Sequence, residues 1–222
     1  MTTLRLAVGG GATRELQRVL TEEGATDNRR PALLVSYFYL KTWNDIRATV
    51  RYRDWVLDSG AFSAWNTHAR IDLGRYTQDA KRLKATDPTL LEIFSLDVIG
   101  DWRASARNCE TMWSVGVKAI PTFHGGEPWD VLTALARDYP KIALGGVVGW
   151  KGETKFAWVG QCFARIWNPD RPVPVHGFGM TSKKMLLRYP LHSVDASTWE
   201  IGPWAYGKWA SFNGQQLTRR IK

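Results

Sequence analysis

A chain of 222 residues with 44% hydrophobic and 23% charged residues is long enough for one domain with a substantial core, which excludes a disulfide-stapled miniprotein and a disordered segment. No apolar run approaches the roughly 20 residues of a membrane helix, and the apolar stretch in the opening MTTLRLAVGGG is too short for a secretory signal, so a cytoplasmic protein forming one domain over 1–222 is expected. Thirty Lys and Arg against 21 Asp and Glu leave a formal charge of +9, which favours a polyanionic partner, with plain solubility as the bland alternative.

The first apolar run, 4–8, leads into GGGATRE from Gly9. That stretch resembles a phosphate loop but has Arg14 where a third glycine is needed, so it reads as a tight strand-to-helix turn. Thr13 then precedes Leu16, Val19 and Leu20 as a helix start. Further strand-like runs follow at 32–40, 55–60, 91–97, 117–123, 141–148, 173–179 and 191–197. Between them Pro128 opens a helix carrying Leu132 and Leu135, Ser182 opens one carrying Met185 and Leu186, and Gly116 and Pro140 close helices. Trp158 and Cys162 share a helical face at packing spacing. Eight strand-to-helix units predict an α/β chain, a compact (β/α)8 TIM-type barrel without a zinc module, with a doubly wound open sheet as the alternative. Cys109 and Cys162 form no CxxC pair and read as buried small hydrophobes, so no metal site is expected.

In either fold chemistry sits at the carboxyl ends of the strands. Those ends carry Asp58 and Ser59, Asp97, His124, Gly145 and Gly146, His176 and Gly177, and Asp195. Each has a structural reading: Asp58 capping its turn, Asp97 satisfying loop amides, Asp195 pairing with an arginine, the histidines packed in turns. Three carboxylates and two glycine pairs around one mouth also describe a site for a small, polar, hydrogen-bonding ligand. Most of the 12 tryptophans belong in the core. Residues 199–222 differ, since Trp199, Trp204 and Trp209 stand there with Tyr206, Lys208 and the basic end TRRIK. Trp209 is a candidate stacking platform for unpaired bases, and Arg219, Arg220 and Lys222 are candidate phosphate contacts. The stretch AWNTHARIDLGRY at 64–76 reads as a loop lining the mouth, with His68 and Arg70 near phosphates or simply solvated.

The motif LDSGAFS at 57–63 resembles the TDSGGFQ signature of tRNA-guanine transglycosylases. SLDVIGD at 95–101, ALGGVVG at 143–149, HGFGM at 176–180 and SVDAS at 193–197 resemble that family's later strand ends in the same order. The short chain, without the family's zinc-binding cysteines and with SGAFS for SGGFQ, looks more like the phage-type DNA-guanine transglycosylases. The resemblance implies exchange of guanine in DNA for a 7-deazaguanine co-substrate such as the 7-cyano form, with tRNA the less favoured polymer and no other cofactor. It implies Asp195 as nucleophile and Asp58 as acid–base. Asp97 would read the base edge, the Gly145 and Gly146 amides would meet the base oxygen, and Phe62 would stack. Ser59, Gly60, His124, His176 and Gly177 would complete the substrate pocket. Another barrel enzyme acting on N-glycosides, and a non-catalytic nucleic-acid-binding module on the same fold, are the alternatives.

Overall fold

The computed structural model describes residues 2–8, 30–197, 208–212 and 217–221, the last two stretches through their backbone. Eight strands are parallel: β1 Thr3–Val8, β2 Ala32–Ser36, β3 Asp54–Asp58, β4 Leu90–Ile93, β5 Thr122–His124, β6 Ile142–Gly145, β7 Val175–Gly177 and β8 Ser193–Ala196. Their order is β4-β3-β2-β1-β8-β7-β6-β5. The sheet curls until its two edges meet. Phe94, just past β4, bridges Ile120 in parallel, the Ile120 N–H donating to the Ile93 carbonyl at 2.8 Å and the Ser95 N–H to the Ile120 carbonyl at 2.9 Å. The chain is a (β/α)8 TIM-type barrel.

The described helices alternate with the strands: α1 Leu40–Ile46, α2 Ala61–Asn66, α3 Leu73–Thr86, α4 Trp102–Ser114, α5 Trp129–Asp138, α6 Gly152–Ile166 and α7 Lys183–Arg188. Their starts are chemically marked. Asp72, Asp101 and Ser182 accept from the Arg75, Ala104 and Met185 N–H groups, and Pro128 precedes α5 as its sequence position predicts. Trp158 and Cys162 are both buried on α6, and both cysteines are free, buried thiols that burial pushes up, Cys109 to about 11 and Cys162 to about 12. Among the described residues no helix is long and apolar enough to cross a membrane.

Alternation along the strands divides the core in two. Outward residues Leu33, Val35, Trp55 and Leu57 pack under the helices of the first half, and Phe123, Leu144, Val175 and Val194 under those of the second. The inward residues Ala7, Leu34, Val56, Phe94, Ala143 and Phe178 fill the middle of the barrel with Ile120. Above and below that plug the same alternation puts polar groups inside. In β3 it sets Asp54 at the floor, Val56 in the middle and Asp58 at the mouth. The floor charges are paired: Arg5 with Asp54, which Arg53 also reaches, and Lys141 with Glu92.

Three expected segments are corrected. The run 32–40 is a strand only to Ser36, because Tyr37–Tyr39 coil into a 3-10 helix where Tyr37 packs on Tyr76 and donates to Asp79 at 2.7 Å. The run 117–123 is continuous strand only from Thr122, with Ile120 paired to Phe94 by an isolated bridge, because Pro121 between them has no N–H to give and joins the pairing only through its carbonyl, which accepts the Ala143 N–H at 2.8 Å. Residues 64–76 are the end of α2, a short connection and the start of α3, not one loop. Residues Lys208–Phe212 (β9) and Leu217–Ile221 (β10) form an antiparallel pair that was not foreseen in the Trp-rich end. The phosphate-loop-like turn from Gly9 to Arg14 and the helix start at Thr13 lie outside the described residues.

The Arg5–Asp54 pair lies in the barrel floor with both side chains nearly closed to water. Removing one partner strands a buried charge, so Asp54→Ala should lower the unfolding free energy by about 3–5 kcal/mol. Urea unfolding at neutral pH measures this, and a change within experimental scatter would show that the pair contributes nothing.

Candidate active site at the mouth of the barrel

The DSGAF segment builds one wall. β3 ends at Asp58, whose Oδ2 accepts the Gly60 N–H at 3.0 Å, and the Ser59 Oγ accepts the Ala61 N–H at 3.4 Å, so the chain reverses directly into α2. Gly60 has φ +76, and a Cβ there would meet the Phe38 nitrogen and the Ser36 Oγ at 2.7 Å. Only glycine fits that turn. Asp58 therefore caps its turn, as its structural reading holds, and it also faces other carboxylates. Burial pushes its carboxyl up to about 7, the Gly60 N–H opposes this, and the charges of Asp97 and Asp195 add to the rise. Asp58, Asp97 and Asp195 thus share one electrostatic neighbourhood, although they come from β3, the loop after β4, and β8.

Asp97 does not satisfy loop amides. Its Oδ1 is buried without a hydrogen-bond partner, and its Oδ2 lies 3.3 Å from the His124 Nε2. His124 is occupied at both ring nitrogens, because Nδ1 meets the Glu127 Oε1 at 2.9 Å while the Glu127 Oε2 accepts the His124 backbone N–H at 3.0 Å. Burial opposes charge on this ring, but the hydrogen bonds to Asp97 and Glu127 outweigh it and hold His124 up at about 10. The ring is an imidazolium clamp on Asp97 and has no nitrogen left for a ligand. Tyr76, fully buried, donates to the Phe94 carbonyl at 2.7 Å and is pushed well above the phenol range by burial and by the charges of Asp58 and Asp97.

Gly145 and Gly146 pass directly under His124. Gly146 has φ +67 and its absent Cβ would strike the His124 Cβ at 2.7 Å, so the backbone there approaches the mouth as no larger residue allows. Gly177 points the other way, since a Cβ would meet Met180 and Leu191 in the outer core. Its requirement is packing. Asp195 has no arginine partner among the described residues. Its Oδ1 accepts the Gly179 N–H at 3.0 Å and lies 3.4 Å from the Nε2 of His176, which is fully buried.

Phe62 lies 46% and Trp65 57% exposed, with ring centroids 6.2 Å apart, on the helix that leaves Asp58. Val98, Ile99 and Val148 are exposed on the loops after β4 and β6. All five stand on segments that leave the carboxyl ends of β3, β4 and β6, the end of the barrel that carries Asp58 and Asp97. Arg70 is exposed between α2 and α3, and His68 beside it has φ 55. The side chains of Trp209, Arg219 and Arg220 and all of Lys222 lie outside what is described. Sequence reasoning missed Glu127, Lys141 and Ser193 as neighbours of the site, and placed Trp65 and Tyr76 at the mouth only as part of the 64–76 stretch, without a role. Of the three missed residues Glu127 had a local signal, standing three residues after His124 in HGGE. Among the described residues no cluster of His, Cys, Asp or Glu fits a metal.

The molecule is thus a parallel (β/α)8 barrel with a cluster of carboxylates at the carboxyl ends of its strands. No protein-family model matches the chain, and no curated protein matches it. Among solved structures it is similar to the tryptophan synthase alpha subunit from Campylobacter jejuni, with 12% identity and a TM-score of 0.47 over 88% of this chain and 85% of that one.

The raised Asp58 carboxyl has a consequence for stability. An unfolded aspartate titrates near 3.8, so the native state keeps a proton that the unfolded chain releases between about pH 4 and 7, and wild-type stability falls as pH rises through that window. Asp58→Asn keeps an oxygen for the Gly60 N–H and removes the titration. The variant should gain stability relative to wild type from pH 4 to pH 8, read by urea unfolding at several pH values. A pH-independent difference would mean that Asp58 is an ordinary surface carboxylate.

Proposed function

We propose that the protein is a base-exchange transglycosylase that replaces guanine in DNA with a 7-deazaguanine through a covalent aspartyl–sugar intermediate. The observation that carries this reading is the division of labour among three carboxylates in one mouth. Asp58 is held near neutrality, where an acid–base group works best, Asp97 is clamped by His124 with one oxygen unpartnered, and Asp195 is anchored through one oxygen.

In this reading an Asp195 oxygen attacks the anomeric carbon of the target nucleotide, the bond to N9 breaks, and its electron pair leaves with guanine, which takes the proton of Asp58. The incoming 7-deazaguanine then returns its N9 proton to Asp58 as N9 attacks the same carbon and the ester to Asp195 breaks. Two inversions give net retention, and no oxidant or metal enters the balance. The free Oδ1 of Asp97 accepts the ring N–H and amine edge that guanine and 7-deazaguanine share. Amides of the Gly145–Gly146 turn meet the base oxygen. A duplex buries this bond, so the target must be flipped or single-stranded. The Phe62–Trp65 pair offers faces for unstacked bases, and the charge of +9 favours the phosphate backbone.

Incubation with DNA and candidate deazaguanines, followed by nucleoside mass spectrometry, should find the modified nucleoside. Wild type should also form a DNA adduct that survives denaturing electrophoresis. Asp195→Asn should lose both, and normal turnover by a deamidation-free preparation of that variant would remove Asp195 from the nucleophile's role. Trp65→Ala should weaken single-stranded DNA binding by about 1–3 kcal/mol with an unchanged melting temperature, because the indole stacks in the complex but packs little in the free protein. Unchanged affinity in a titration at fixed salt would exclude Trp65 from the DNA surface.

A further inference from the structure

A chain of polar contacts runs inside the barrel from its floor to the ring of His176, whose far nitrogen faces Asp195. The Lys141 ammonium donates to the Glu92 Oε1 and Oε2 at 2.7 and 2.8 Å, meets the His192 Nδ1 at 3.0 Å, and donates to the Ser193 Oγ at 3.4 Å. Ser193 in turn lies 2.9 Å from the His176 Nδ1, and the other ring nitrogen of His176 stands 3.4 Å from the Asp195 Oδ1. An ammonium has only hydrogens to offer, so the Ser193 oxygen facing Lys141 must act as acceptor there. Its single hydroxyl hydrogen is then directed at the His176 Nδ1. A ring nitrogen that accepts carries no proton, which leaves the proton of a neutral imidazole on Nε2, facing Asp195.

The ring cannot turn away from this arrangement. Phe94 and Phe178 pack on it with centroids 4.8 and 4.6 Å distant, and it is fully buried. Burial also favours the neutral ring, and Lys141 and Arg5 reinforce that, against the pull of Asp195. Asp195 Oδ1 therefore accepts one hydrogen bond, from the Gly179 N–H, and faces the Nε2–H of His176 across 3.4 Å, a contact in which the buried Nε2 makes no formed hydrogen bond. Among the described residues nothing hydrogen-bonds its Oδ2.

We infer that His176 is a positioning residue for Asp195: Lys141 and Ser193 lock its ring as the Nε2–H tautomer, which turns an N–H toward the Oδ1 that the Gly179 amide already holds, ready to close on it as charge shifts in the mouth, and leaves Oδ2 as the reacting oxygen. The tautomer stands on the hydrogen-bond chain alone, whereas the role of Oδ2 rests on the transglycosylase reading.

The two parts are tested separately. Long-range nitrogen–proton correlation spectra of histidine-labelled protein should show His176 with a bare Nδ1 and a protonated Nε2 at neutral pH. A protonated Nδ1, or a doubly protonated ring, overturns the lock whatever the enzyme does. Ser193→Ala, a small change that leaves the Lys141–Glu92 pair in place, should mix the two tautomers, and a spectrum identical to wild type would also overturn the lock. For exchange, His176→Leu should lower kcat on the order of a hundredfold with KM for DNA nearly unchanged. His176→Gln, which restores an N–H near the position of Nε2, should recover most of that loss. A purely structural role predicts instead that both variants lose activity only in proportion to their folded fraction, measured by thermal unfolding. The correct tautomer in a protein without any exchange would leave the lock standing and sink the transglycosylase reading.

Discussion

Closing a parallel sheet on itself with short strands is the constraint on which the rest of this structure depends. Each strand sends every second residue inward, and β5 and β7 are three residues long, so the interior has few positions to allot. One strand must then supply floor, filling and mouth within a few residues, as β3 does with Asp54, Val56 and Asp58. A typical barrel fills these layers with branched aliphatic side chains. Here the filling is confined to a thin apolar plug around Leu34, Val56, Phe94 and Ala143, with charge on both sides of it.

The two charged tiers are balanced differently. At the floor each cation has its anion, Arg5 with Asp54 and Lys141 with Glu92, and burial is compensated by close pairing. At the mouth the described groups include three neighbouring aspartates, while the cation among them, His124, is held between Asp97 and Glu127. Asp58 has only amide donors to set against burial and two like charges, and it responds by holding its proton toward neutral pH. Burial is the larger cause and the two neighbouring charges add to it, so a change of charge in the mouth shifts the Asp58 proton only in part. The His176–Ser193–Lys141 chain links these tiers, with the His176 ring packed against Phe94 and Phe178 of the plug.

The strand ends were legible because the barrel is periodic. Alternating apolar runs with capping residues between them are local features, and local chemistry decides them: Asp72, Asp101 and Ser182 cap helices wherever those helices later pack. The same holds for Asp58–Phe62, where one glycine forced into positive φ fixes the turn that carries the carboxylate. Segments whose conformation depends on distant partners were misread. The aromatic run at 37–39 has strand-forming residues, yet Tyr37 is drawn into a helical turn by Tyr76 and Asp79 on another element.

The sequence by itself determined the α/β class, the eight strand positions and the identities of the polar residues at their ends, because these follow from side-chain period and turn chemistry along the chain. It could not determine which ends face one another. That Asp97 and Asp195 add to the cost of ionising Asp58, that His124 belongs to Asp97 and Glu127, that Gly177 faces the outer core and that Lys141 reaches the ring beside Asp195 through Ser193 were decided by barrel closure. The physical reason is distance: electrostatic and hydrogen-bond energies depend on separations of a few ångströms between residues tens of positions apart, and only the curled sheet sets those separations.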